Sequence, residues 1–77
     1  MNLKQKYELS ILGMQLNIQT DESEESVRKN AKKLEERVND LIFENPRITK
    51  GQAMLFLCMD YLSENEKLKE ALKEKEA

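Results

Sequence analysis

Residues 7–18 read YELSILGMQLNI, and these twelve residues decide the first half of the fold. Tyr7, Leu9 and Ile11 alternate with polar residues; after Leu12 and Gly13 the alternation resumes with Met14, Leu16 and Ile18. Two period-2 runs around a glycine predict a β-hairpin with one apolar face, over about residues 5–20. Gly13 supplies the positive φ that a tight turn requires. A two-stranded hairpin is marginal alone in water, so its apolar face must lie on something.

The next segment offers a cover. In DESEESVRKNAKKLEERVNDLIFE, residues 21–44, Val27, Ala31, Leu34, Val38 and Leu41 recur at spacings of four, three, four and three. That is one stripe on an amphipathic helix. Asp21 followed by Glu24 resembles a capping box, and the acidic first turn suits the helix dipole. Glu24 with Arg28 and Glu25 with Lys29 are i,i+4 pairs of the favourable orientation. The helix is expected to end near Glu44, because Pro46 disfavours helical geometry at Asn45.

Beyond the short NPRIT link, Thr49 with Gln52 forms a second capping-box signature, and a second helix starts at about Lys50. A five-residue link predicts a helical hairpin. On this helix Met54, Cys58, Tyr61, Asn65, Leu68 and Leu72 follow spacings of four, three, four, three, four. This is a heptad seam, with a polar Asn65 of the kind that fixes register at a cost in stability. Over AMLFLCMDYL, residues 53–62, only Asp60 is clearly polar. One side of that run can cover the head, and the seam asks for a second chain. The expected fold is therefore α+β: a small ββαα head over residues 1–62, with the second helix extending over 63–77 as a short coiled coil, in an obligate oligomer.

Composition agrees with a need for a partner. A chain of 77 residues buries too little surface for a secure core of its own. Its single cysteine, Cys58, closes no internal disulfide, and without histidine a Cys/His metal site within one chain is excluded. The formal net charge is -2 with both signs interspersed, so no basic patch points to nucleic acid or a membrane surface. The longest apolar run is about half a membrane span. The N-terminal MNLKQKYELSIL lacks a signal-peptide core, and a lone cysteine fits a reducing cytoplasm.

Catalytic chemistry finds little to work with. The commonest general base is missing, Ser10, Ser23, Ser26 and Ser63 have no neighbouring base, and two glycines make no phosphate loop. The carboxylates fall at solvated helix positions. Neither an enzyme nor a cofactor is expected. Cys58 reads as a small hydrophobe on the seam, and Met14, Met54 and Met59 as core filler. Lys29, Lys32, Lys33 and Arg37 alternate with Glu35, Glu36 and Asp40, as on a solvated helix face. Arg47 differs, because it projects from a turn on a fixed platform, where recognition residues are often found.

Taken in order, these features resemble the ZapA-type bacterial cell-division proteins. The resemblance is carried by the strand ending Ile11-Leu12-Gly13, the alternating return strand, the acidic helix start, and the stripe Ala31, Leu34, Val38 and Leu41. It continues through Arg47-Ile48-Thr49 and the apolar start AMLFLCMDYLSENEKL. It implies a cytoplasmic protein at the division site that binds the tubulin-like protein FtsZ. As a homodimer or tetramer it would bundle or crosslink FtsZ filaments, with no small-molecule substrate. On this reading Arg47 and Lys50 are the partner-binding candidates, and Met54, Leu57, Cys58, Tyr61, Asn65, Leu68 and Leu72 form the dimer interface. Family members often carry a basic residue directly after the hairpin glycine and another on the return strand; here Met14 and Asn17 stand there. The short tail makes tetramers through it less expected than dimers. The alternative is a homodimerising coiled-coil adaptor with a different protein partner.

Overall fold

A computed structural model describes residues 4–76. Met1–Leu3 and Ala77, which the sequence reading places in the head and in the coiled-coil extension, lie outside the described residues. The element order is strand β1 (Gln5–Ile11), strand β2 (Met14–Thr20), helix α1 (Glu24–Glu44) and helix α2 (Lys50–Glu76). This is the expected ββαα order. The chain divides into two units, Met1–Asn39 and Asp40–Ala77.

In the first unit, β1 and β2 pair antiparallel, with Tyr7 opposite Ile18, Leu9 opposite Leu16 and Ile11 opposite Met14. These pairs share one face, because side chains alternate across a strand. Leu9 and Ile11 are buried there with Val27 of α1, and Tyr7, Leu12, Ile18, Ala31 and Leu34 pack around them. The cover is uneven. Met14 and Leu16 on β2 remain 43% and 46% exposed. Beside them a shallow groove of about 200 Å³ stays open between the hairpin and α1, lined by Leu9, Leu16, Ile18, Val27 and Leu34.

The connection between the strands is a two-residue turn with positive φ at both positions, 55° at Leu12 and 79° at Gly13. Such a type I′ turn matches the twist of the flanking strands. The glycine was legible as a turn residue. The leucine was not, because left-handed geometry costs a side-chain-bearing residue roughly 1–2 kcal/mol. Polar contacts pin the hairpin at both ends. At the turn, the Leu12 N–H donates to Glu35 Oε2 at 2.9 Å. At the open end, the Tyr7 hydroxyl donates to the Glu22 carbonyl at 3.0 Å.

The start of α1 corrects one expectation. The helix begins at Glu24, not near Asp21, and its N-cap is Ser23. The Ser23 Oγ accepts from the Ser26 N–H at 3.1 Å, and the Ser23 carbonyl accepts the first helical bond from Val27 at 3.0 Å. Asp21 yields the cap because the chain bends at Asp21 and Glu22: the Glu22 N–H donates to Thr20 Oγ1 at 3.2 Å. The acidic first turn holds, with Glu24 and Glu25. On the α1 stripe, Val27 and Val38 are buried, and Ala31, Leu34 and Leu41 half-buried.

In the second unit α1 ends at Glu44, and the N–H of Asn45 just after it donates to the Leu41 carbonyl at 2.9 Å. Thr49 then caps α2 with the reciprocal pair its sequence signature predicts. The Gln52 N–H donates to Thr49 Oγ1 at 3.1 Å, and the Thr49 N–H donates to Gln52 Oε1 at 3.0 Å. At 27 residues α2 is about 40 Å long. Of its large side chains among the described residues, only Leu57 is buried, alongside Ala53. Surface ion pairs among the described residues include Arg28 with Glu24 at 3.9 Å in α1 and Lys69 with Glu66 at 3.8 Å in α2. Both are exposed, and such pairs contribute a few tenths of a kcal/mol at most.

Candidate protein-interaction site

The link between the helices is a tight turn, in which the Ile48 N–H donates to the Asn45 carbonyl at 3.0 Å. Pro46 occupies its second position, where its fixed φ is pre-set for the bend. Arg47 occupies the third with negative φ, as a type I turn requires. The guanidinium is thereby carried at an exposed corner, held by a hydrogen-bonded turn before it and a capping box after it. Among the described residues it has no ion pair or side-chain hydrogen bond. Lys50, the first residue of α2, is exposed next to this corner and has an interaction of its own. Phe43, in the last turn of α1, is 87% exposed. It falls off the apolar stripe, between Ile42 and Glu44, so helical periodicity does not single it out.

The residues assigned to the seam fall into two groups. Leu57 is covered within one chain at 4% exposure, and Met54 is half-buried. Cys58, Tyr61, Asn65, Leu68 and Leu72 are exposed. Leu68 and Leu72 stand 61% and 60% open to water. A second apolar stripe, Leu55, Met59 and Leu62, lies about 100° round the helix from the seam, with Phe56 beyond it. These four are 55–69% exposed. The run 53–62 is apolar on nearly all sides, and the heptad spacing marks one of its faces. The same four-three spacing, one residue later, marks this second face.

Monomeric soluble proteins rarely leave so continuous an apolar surface uncovered. The arrangement is one of recognition, with an exposed cation at a rigid corner and a long helix apolar on two adjacent faces. Among the described residues, no group of His, Cys, Asp or Glu stands positioned to hold a metal ion. No helix of the described residues is long and apolar enough to cross a membrane.

Comparison with known proteins agrees with this architecture. No curated protein and no solved structure matched the chain. The family model described as Cell division protein ZapA matches residues 7–77. The chain belongs to the ZapA family of cell-division proteins.

Proposed function

We propose that the protein binds FtsZ filaments and crosslinks or bundles them at the division ring, acting in the cytoplasm at mid-cell as a homodimer or tetramer. The family match over residues 7–77 carries this reading. The exposed apolar faces of α2 support the oligomer: burying a large apolar side chain is worth roughly 1.5–3 kcal/mol, so several left in water favour a second copy. Met54, Cys58, Tyr61, Asn65, Leu68 and Leu72 form the interface. Leu57 belongs to the same interface, at the edge nearest the chain's own core, where it is already 4% exposed.

The mechanism needs no nucleotide, metal or cofactor. Joining two copies gives two binding heads, and once one head is bound the second contact is intramolecular. Avidity makes weak single contacts effective. Arg47 and Lys50 at the α1–α2 turn supply the filament contact, as cations offered to an acidic protein surface. Co-sedimentation with FtsZ tests this: wild-type protein increases pelleting, and Arg47→Glu lowers it several-fold, because a rim charge reversal removes attraction and adds repulsion. Pelleting and light scattering of FtsZ unchanged by excess wild-type protein would sink the reading.

A further inference from the structure

The hairpin is a two-stranded sheet, so each of its strands has an open edge. The register decides which backbone groups lie there. Ile11 and Met14 flank a two-residue turn and form a hydrogen-bonded pair, as do Leu9 with Leu16 and Tyr7 with Ile18. The residues between them turn their N–H and C=O groups away from the hairpin. These are Lys6, Glu8 and Ser10 on β1, and Gln15, Asn17 and Gln19 on β2.

The two edges differ in how they are guarded. Natural edge strands carry charge, proline or a bulge that discourages pairing with another chain. β1 has Lys6 and Glu8, and Arg28 and Lys32 of α1 line the groove beside Leu9 and Ser10. β2, MQLNIQT, has no charge, proline or glycine, and its pairing with β1 runs without a bulge. Gln15, Asn17 and Gln19 are exposed, and their outward groups have no partner among the described residues.

The β2 edge is also complementary to itself. Two copies paired antiparallel about Asn17 set Asn17 against the partner's Asn17, and Gln15 against the partner's Gln19. Each of these pairs exchanges both backbone bonds. Their side-chain amides, which donate and accept, meet amides on the outer face. On the apolar face Leu16, 46% exposed, meets the partner's Ile18, a favourable cross-strand pair. No like charges meet. The same pairing on β1 sets Glu8 against the partner's Glu8.

We propose that the β2 edge is a second self-association surface, which joins copies already paired through α2, edge to edge, into assemblies larger than that dimer. This rests on pairing through α2. A seven-residue edge is a small interface that binds weakly alone. Two edges on one dimer add avidity, and a chain with two such two-fold interfaces builds beyond the dimer.

The test follows the full chain by light scattering and by amide exchange, from micromolar to millimolar protein. In wild type the mass rises above that of the dimer as concentration increases. Exchange at Gln15, Asn17 and Gln19 slows by about fivefold, as the gain of a ladder bond implies, while Lys6, Glu8 and Ser10 are unchanged. Asn17→Lys and Asn17→Glu, each alone, hold the mass at the dimer, because like charges then face each other. An equimolar mixture of the two variants recovers the larger mass and the slowed exchange at Gln15 and Gln19. Circular dichroism checks that both variants fold, and the wild-type measurement stands without them. The proposal is overturned if wild-type exchange at Gln15, Asn17 and Gln19 does not change with concentration, or if the mixture of folded variants stays dimeric. Slowing at Lys6, Glu8 and Ser10 instead overturns it in favour of the β1 edge. Slowing that appears only when FtsZ is added gives the edge to the filament and overturns self-pairing. A wild-type chain that is monomeric throughout overturns the α2 reading as well, and its mass separates that failure from a dimer that grows no further.

Discussion

Leu9 and Leu68 are both leucines on apolar stripes, yet one is 5% exposed and the other 61%. The difference separates two ways of spending apolar surface. Around Leu9 the hairpin and α1 close a small core within the chain, and the polar ends of the hairpin find acceptors in Glu35 and the Glu22 carbonyl. Around Leu68 the helix makes its own backbone bonds and little else. A helix completes its hydrogen bonding alone, whereas a two-stranded hairpin cannot stand without a face to pack on. The hairpin therefore had to be covered in cis. The helix could leave its apolar faces for another molecule.

The largest test of this contrast is Leu9→Ala. Removing a buried leucine costs about 2–5 kcal/mol, a large share of the stability of a small domain. Thermal unfolding followed by circular dichroism is expected to show the head destabilised at any protein concentration. A melting midpoint within a degree or two of wild type would mean that the Leu9 cluster does not hold the first unit together.

Next in size is the combined change Tyr61→Glu and Leu68→Glu. Tyr61 and Leu68 are 39% and 61% exposed, so the intrinsic stability of one copy is expected to change far less than on Leu9→Ala. Self-association is expected to be lost, because four like charges would face each other across a symmetric seam. Light scattering on a sizing column reads the mass directly. The wild-type melting midpoint rises with concentration, as binding to the folded state requires, and that of the variant does not. A wild-type chain that stays monomeric at micromolar concentration would break the contrast, because the exposed stripes would then serve no second copy.

How much of this was legible follows the same division. Period-2 alternation gave the hairpin and its facing residues, because side-chain direction in a strand depends on parity alone. The Thr49–Gln52 box was readable because both partners are local and their bonds reciprocal. Glu35 was not: its partner is a backbone N–H 23 residues away, and on a helical wheel it looked like one more solvated carboxylate. The stripe Leu55, Met59 and Leu62 escaped for a different reason. In a run where nearly every residue is apolar, several faces show helical spacing, and periodicity alone cannot say which of them faces water. Partner contact by Arg47 rests on its place at the corner of a turn, which composition could not supply.

The smallest test concerns the local signal that misled. Asp21 and Glu24 had the spacing of a capping box, yet Ser23 caps α1. Asp21 and Ser23 both precede the acidic turn, and both types are good caps, so residue type alone could not choose. What decided was the path of the chain: Thr20 bonds the Glu22 N–H, and the Glu22 carbonyl is taken by Tyr7, which together set the exit from β2. Ser23 is then the first residue whose hydroxyl reaches a free helical N–H. Ser23→Ala is expected to cost about 1 kcal/mol, a fall in melting midpoint of about 4–8 °C for a chain of this size. Asp21→Ala, which removes only a charge near the helix start, is expected to cost a few tenths of a kcal/mol. Thr49→Ala gives the matching measurement in the second unit, where Gln52 can still accept from the backbone N–H at position 49 and so softens the loss. If Asp21→Ala proves as costly as Ser23→Ala, α1 starts earlier than the bond to Ser26 implies. The hairpin would then be tied to its helix by a different exit, and the Tyr7 latch would no longer explain why the first unit closes on itself.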